Sequence, residues 1–462
     1  MRARRRAHVR LVRPLPAEER SEPMVSAETI ENLRRERFLH DGVTGLPIHP
    51  FEDPARAESL ERVEHLGVVY LQIGKFFGFE ELHGWEQYDR ILAVVADGIR
   101  EDASTSRFCD GLLSIRFTGS DGFFVLFDLP NGRSGRSRHG AALEEEAARF
   151  QANATRRLKQ NFGGATGDLT SVHVSSLAAP DDPRSRPSRH LNRMLAEAAK
   201  IVTQEQTRER IDLYGELKGI IGDKQLKAAF QPVSRLADGE VTGYEALIRG
   251  PHGSALEMPS ALFSVSHQNG MDVELESLCL ETIFGGLPRA VKSRQLFVNA
   301  SATLLRHPIF LNARNLTAIG KSHGDVVLEI SEKEVVGDYA SFRDILGVVR
   351  KANFKIAIDD AGSGYSGLET ILYLRPDYIK IADSLVRRLE TDPIKREIIS
   401  SLASIGRRIE ASLIAEGIER QEEYDALRDL GIEYGQGYLL GRPAFQVSGR
   451  RSNGAARLSR TS

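Results

Sequence analysis

DVVLEISE (residues 325–332) and FKIAIDDAG (residues 354–362) decide the fold of this chain, because they are two copies of one pattern. Each is a short run of aliphatic, often β-branched residues that closes on acidic side chains. The pattern extends to KAAFQPV (227–233), VTGYEALIRG (241–250), RQLFVNAS (294–301), DYIKIAD (377–383), ASLIAEGI (411–418) and EYGQGYLL (433–440). Helical stretches separate most of these runs. Eight strand-like runs in that order predict an α/β unit, a (β/α)8 TIM-like barrel. Periodicity leaves an open parallel sheet as the alternative, and the polar residues favour the barrel. Glu245, Asn299, Glu329, Asp359, Lys380, Glu416 and Gln436 each lie in or at the end of a different run. In a barrel those ends converge on one face, where active sites form. Phe297, Ile330 and Ile358 read as barrel core.

Upstream the pattern changes. LGVVYLQIGKF (66–76) reads as a buried strand, residues 87–101 as an amphipathic helix, and LLSIRF-TGSDG-FFVLFDL as a hairpin. SVHVSSLA (171–178) is a further strand, so the order is that of an α+β sandwich. The run APDDPRSRPSRH breaks secondary structure, and Leu191–Ile221 then reads as one long helix connecting the two parts. A short polar helix is expected over 25–40. The expected domains are a basic leader with that helix (1–37), the α+β unit (38–208), the barrel (209–446) and a flexible basic tail (447–462).

The whole chain has 462 residues, 41% hydrophobic and 27% charged, with a formal net charge of -2. Those proportions exclude membrane, fibrous and wholly disordered classes. No apolar run reaches the roughly 18 residues that span a bilayer. Cys109 and Cys279 are far apart, which argues against a disulfide framework and for a cytoplasmic location. The basic ends, MRARRRAHVRLVR and SGRRSNGAARLSRTS, carry no interleaved aromatics, so they read as solvated segments and duplex nucleic acid is not an expected partner.

The chemistry lies in the acidic set. Glu245, Glu329, Asp359, Asp360 and Glu416, with the Asn299 amide, would bring five carboxylates into one mouth. Like charges that close oppose one another's ionisation. Divalent cations relieve this, and oxygen-only ligation points to Mg²⁺ or Mn²⁺. Adjacent acids such as Asp359 and Asp360 suit two ions roughly 3.5–4 Å apart. Lys380 and Arg249 add positive charge for a phosphate ester. These residues alone favour a metal-dependent phosphodiesterase or phosphatase. They leave open an enolase-like or aldol-type metal barrel, and a binding or structural barrel. The glycine-rich DDAGSGYSG lacks the spacing of a phosphate-binding P-loop and reads as a ligand-carrying loop.

Taken together, FQP at 230–232, EALIR at 245–249, VNAS, LEISE, IDDAGSGYS, YIKI, AEGIE and GQGY resemble the EAL family of cyclic di-GMP phosphodiesterases in order and spacing. The resemblance implies hydrolysis of one phosphodiester bond of 3′,5′-cyclic di-GMP to linear 5′-pGpG with two metal ions. It implies Glu245, Asn299, Glu329 and Asp359 as metal ligands, Asp360 as ligand of the second metal, and Glu416 as a direct or water-mediated ligand. Glu245, Lys380 and Glu416 take catalytic roles, Lys380 orienting the attacking water. Gln231, Arg249 and Gln436 contact substrate, and Glu332 braces the loop after the paired aspartates. Three positions depart from the family pattern: Ala361 where Phe is usual, Ser363 for Thr, and Ala382 for Asp, with Asp383 one place later.

The first unit resembles a degenerate member of the GGDEF family of diguanylate cyclases, on DGVTGLPIH, GSDGF and MLAEAAKI. Gln72 stands where the family has a metal-binding Asp, and Gly122 where it has a charged residue, so a regulatory role without cyclase activity is implied. Both resemblances imply a homodimer. The alternative function is a weak or inactive cyclic di-GMP receptor that signals through its N-terminal region or a partner protein.

Overall fold

The computed structural model describes residues 40–48, 63, 65–75, 85–130, 136–162, 170–180, 186–312, 325–332, 339–362 and 367–447. The basic leader, the helix expected over 25–40 apart from His40, Ser363 and the basic tail from Ser448 lie outside the described residues. His40 makes an isolated bridge to Pro47. Among the described residues, no helix is long and apolar enough to cross a membrane, and Cys109 and Cys279 are both free thiols.

The first unit runs β1 (His65–Lys75), α1 (Trp85–Ser104), β2 (Leu112–Phe117), β3 (Gly122–Asp128), α2 (Arg136–Phe162) and β4 (Thr170–Pro180). Its strands form one antiparallel sheet in the order β2-β3-β1-β4. Alternation along β1 puts apolar side chains of the Leu66–Leu71 run on both faces of the sheet. Val69, Leu71 and Ile73 face α1 and α2, packing with Ile91, Val95 and Phe150. Val68 and Tyr70 face the other way, against Leu191, Met194 and Leu195 of α3 (Pro187–Gly222). Both faces of the sheet are therefore covered.

Helix α2 is the one long element that the sequence reading does not assign. Its buried stripe, Leu143, Ala147, Phe150, Ala154 and Leu158, keeps helical spacing but has two alanines among five positions. That weakens the apolar periodicity on which such a reading depends. Helix α3 serves two cores. Its first half joins the sheet, and Leu217 and Ile220 near its end join the barrel. No side chain between residues 203 and 216 is buried.

The barrel comprises β5 (Lys227–Arg235), β6 (Val241–Arg249), α4 (Pro259–Gln268), α5 (Asp272–Gly285), β7 (Gln295–Asn299), α6 (Ala302–Arg306) and β8 (Val326–Ser331). It continues with α7 (Tyr339–Lys351), β9 (Lys355–Ala361), α8 (Gly367–Leu374), β10 (Tyr378–Ile381), α9 (Pro393–Ile409), β11 (Ser412–Ala415), α10 (Gln421–Asp429) and β12 (Tyr434–Gly435). The eight strands close into a ring, which settles the choice against an open sheet. One strand departs from a strict (β/α)8 pattern: β5 runs antiparallel to both β6 and β12. The connection from Arg235 to Val241 is a tight turn with Gly239 at φ 67°. A parallel crossover needs about a dozen residues or more, so this link permits only a hairpin.

Inside the ring, Val233, Phe297, Val327, Ala357, Tyr378 and Ile414 form one packed layer. Gly243 leaves room in it, because a Cβ there would stand 2.9 Å from the Phe297 ring. Ile330 and Ile358 belong to the larger core that also takes in the helices.

Candidate functional site

Strand geometry raises a polar layer directly above this apolar one. Side chains two residues apart on a strand share a face. Asn299 therefore follows Phe297, Glu329 follows Val327, Asp359 follows Ala357, Lys380 follows Tyr378 and Glu416 follows Ile414. Glu245 stands two beyond Gly243, and Gln436 two beyond Tyr434. On the reversed β5, Gln231 precedes Val233 by two and pairs with Glu245. The eight side chains meet at one end of the barrel.

At the centre is the Lys380 ammonium, on a side chain 1% exposed. Its Nζ lies 2.8 Å from Glu329 Oε1, 2.8 Å from Glu416 Oε1, 3.0 Å from Asp359 Oδ1 and 3.6 Å from Glu245 Oε2. Lys380, read from the sequence as positive charge for a phosphate ester, lies within the acidic cluster itself. Two amides hold Glu245 from outside the charged ring. Asn299 Nδ2 donates to Oε1 at 3.2 Å and Gln436 Nε2 to Oε2 at 2.6 Å. Gln436 also donates to Gln231 Oε1 at 3.0 Å, and Gln231 donates to the Gly441 carbonyl at 3.1 Å.

The electrostatics follow from four carboxylates and one ammonium in a poorly hydrated space. Burial disfavours the charged form of Lys380, but Asp359, Glu245, Glu329 and Glu416 outweigh it and hold its pKa well above the usual value. Burial pushes Glu329 well up, helped by Glu245 and Asp359 and opposed by Lys380. Glu416 is also raised by burial, against the pull of Lys380 and with the repulsion of Asp359 and Glu245.

Among the described residues, no three His, Cys, Asp or Glu side chains already stand as a ligand cage. The donor set nevertheless fits a hard cation. Both Glu329 oxygens and Asp359 Oδ1 are buried, and Lys380 Nζ is the cation within reach of Glu329 Oε1 and Asp359 Oδ1. A single ammonium leaves the four acids in formal excess, and every candidate donor is an oxygen.

The remaining predicted residues differ in exposure. Asp360 is exposed and takes a left-handed backbone at φ 58°, a strained conformation for a non-glycine residue. Glu332 is buried and accepts the Gly362 N–H at 3.3 Å. Arg249 donates to the Ile248 carbonyl at 2.7 Å and is only partly buried. Ala361 and Ala382 are both buried. Asp383 does not replace a lost carboxylate at 382, because its side chain is 60% exposed and pairs outward with Arg387 at 3.5 Å.

Sequence reasoning also missed Glu423. It accepts the N–H groups of Arg388, Glu419 and Arg420 at 3.0–3.1 Å and Arg420 Nε at 3.2 Å, pinning the turn that follows Glu416. Burial raises its pKa, but these hydrogen bonds outweigh burial and hold it below the ordinary glutamate value. A depressed folded pKa contributes stability above the unfolded value and loses it as pH falls through the folded one. Glu423→Gln is therefore expected to cost about 1.5–3 kcal/mol at pH 7. The gap from wild type should close as the pH is lowered into the acid range. Urea titrations across pH would show this, and a pH-independent gap would refute it.

A closed α/β barrel with acids, amides and one lysine at its strand ends is an enzyme-type architecture. Residues 215–443, which span this barrel, match the family described as EAL domain. The chain has cyclic di-GMP phosphodiesterases among its curated relatives. The probable cyclic di-GMP phosphodiesterase PdeG of Escherichia coli K12 is 30% identical over 242 residues, covering 50% of this chain and 47% of the relative. The cyclic di-GMP phosphodiesterase NbdA of Pseudomonas aeruginosa is 26% identical over 429 residues, 88% of this chain and 53% of the relative. An uncharacterized signaling protein of Caulobacter vibrioides is 27% identical, over 88% of this chain and 51% of its own length. The chain thus spans about half the length of these relatives. Among solved structures, the PaMucR phosphodiesterase in complex with c-di-GMP aligns at TM-score 0.45 and 26% identity, over 50% of this chain and 97% of that one.

Proposed function

We propose that the barrel hydrolyses 3′,5′-cyclic di-GMP to linear 5′-pGpG. The observation that carries this reading is the Lys380-centred acid cluster at the strand ends of a barrel that matches the EAL domain. Glu245, Asn299, Glu329, Asp359, Asp360 and Glu416 would hold Mg²⁺ or Mn²⁺, two per site. Such ions, when bound, acidify water and neutralise charge that develops on the phosphoryl oxygens. In this assignment Lys380 orients the attacking water, while Gln231 and Arg249 contact the nucleotide. Gln436, through its 2.6 Å hydrogen bond, keeps Glu245 in one orientation as well as meeting substrate. Water oxygen bonds to one phosphorus, the 3′ oxygen leaves and takes a proton, and a 5′-phosphate remains on the opened dinucleotide.

The test is chromatographic product analysis of the full chain with cyclic di-GMP in Mg²⁺, in Mn²⁺ and in chelator. Metal-dependent pGpG is the expected result. Saturable nucleotide binding with no product would instead favour a receptor. Buried Ala382, with Asp383 turned to solvent, is the observation on that side.

For the first unit (38–208) we propose a degenerate GGDEF-like domain with a regulatory role and no cyclase activity. Gln72 donates to Asp121 Oδ2 at 3.2 Å, so an amide occupies the position beside that acid. A Cβ on Gly122 would stand 2.4 Å from the Tyr70 hydroxyl, so a larger residue there would have to displace that ring. A homodimer completes the proposal. Helix α8 exposes Leu368, Leu372 and Tyr373 on neighbouring positions, which suits a protein contact.

A further inference from the structure

Ser301 lies two residues beyond Asn299 and is held by a carboxylate from a different element. Its N–H donates to Glu276 Oε2 at 3.0 Å, and its hydroxyl donates to Glu276 Oε1 at 2.5 Å. The same hydroxyl accepts the Leu304 N–H at 3.0 Å and so caps α6. Glu276 belongs to α5 and is 7% exposed, beside buried Leu275, Leu278 and Cys279. A carboxylate is costly in such surroundings unless hydrogen bonds compensate it. Here two of its bonds go to a single residue of the turn that leaves β7.

The other end of that turn is tied to the site. The Ala300 N–H donates to the Glu329 carbonyl at 2.9 Å. Asn299 donates its side-chain amide to Glu245 at 3.2 Å. Strand β7 is only five residues long, and Asn299 is its exposed last residue. The backbone that orients the Asn299 amide is therefore fixed from below by the strand and from beyond by Ser301. We infer that Glu276 is a positioning residue for the acidic mouth: by clamping Ser301 it holds the 299–301 turn so that the Asn299 amide stays on Glu245 and toward the cation site. The inference rests on the metal-dependent reading of that site. It extends the reading to a residue of α5, outside the eight polar side chains of the mouth.

Removing a partner that orients a ligand commonly weakens metal affinity or activity by about 10–100-fold. The experiment measures Mn²⁺ affinity of the full chain by calorimetry without nucleotide, for wild type, Glu276→Gln, Glu276→Ala and Ser301→Ala. Gln removes one acceptor at nearly constant volume. Ser301→Ala removes the hydroxyl contact and leaves the backbone N–H for Glu276. Expected are losses of about tenfold or more for the two Glu276 variants and a smaller loss for Ser301→Ala. Circular dichroism should remain that of the wild type in Glu276→Gln and Ser301→Ala. A brace needed only for folding would lower Tm and leave the Mn²⁺ affinity of the folded protein untouched. Wild-type affinity in folded Glu276→Gln and Ser301→Ala therefore overturns the inference, even if Glu276→Ala fails to fold. A wild-type chain that takes up no Mn²⁺ overturns both the inference and the reading beneath it.

Discussion

Glu245→Ala is expected to reduce cyclic di-GMP turnover by at least about a thousandfold while leaving the barrel folded. Two opposing effects decide the stability outcome. The substitution leaves the Asn299 and Gln436 amides without their shared acceptor, a loss of about 1–3 kcal/mol if no water replaces it. It also removes one of four acids crowded around a single ammonium, which relieves repulsion on Glu329 and Glu416. The two effects oppose one another, so Tm in chelator should move by only a few degrees. Activity has no such compensation. Glu245 is the carboxylate that both amides and Lys380 orient, and its loss takes a donor from the proposed cation site and leaves those partners unaimed. Product analysis beside a thermal melt checks both halves of the expectation. A folded variant that keeps full turnover would overturn the assignment of Glu245.

Much of the site was legible because strand periodicity and chemistry coincide. Each polar residue lies two places from the apolar or small residue beneath it, so one rule, alternation along a strand, both closes the core and raises the mouth. The strand-like runs and the polar residues at their ends point to most of the mouth, whereas Gln231 and Glu332 enter only through the family resemblance. What the sequence could not supply depended on tertiary contact. The reversal of β5 follows from a connection too short for a crossover, a signal present in LADGE and not used. Glu276 and Glu423 were passed over because a glutamate in a helix is ordinarily a solvated one. Only the packed structure shows these two turned inward onto backbone N–H groups. Asp383 shows the converse limit. One place of displacement along the chain turned the acid from the mouth to solvent, where its partner is Arg387.

Lys380→Met tests the centre of the site without requiring any catalysis. In wild type the ammonium is the only cationic group within 4 Å of Glu245, Glu329, Asp359 and Glu416 among the described residues. Methionine keeps much of the volume and removes the charge, so the acids are left buried and unopposed. Breaking a buried ionic cluster by deleting one partner costs about 3–5 kcal/mol, because the remaining charges keep their desolvation penalty. That loss is expected in chelator at pH 8, read from urea titrations. The sign of the pH dependence is fixed by the acids. With the ammonium gone, carboxylates whose folded pKa is raised bind protons more tightly folded than unfolded. Their contribution is favourable at low pH and is lost as pH rises through the folded value. The variant should therefore be closer to wild type at pH 5 than at pH 8. Mg²⁺ should restore more stability to it than to wild type, since a divalent ion supplies the charge that the side chain no longer does. Equal stability of the two proteins in chelator at pH 8 would mean that Lys380 is not the counter-ion of the cluster. A pH-independent deficit that Mg²⁺ leaves unchanged would point to lost packing alone.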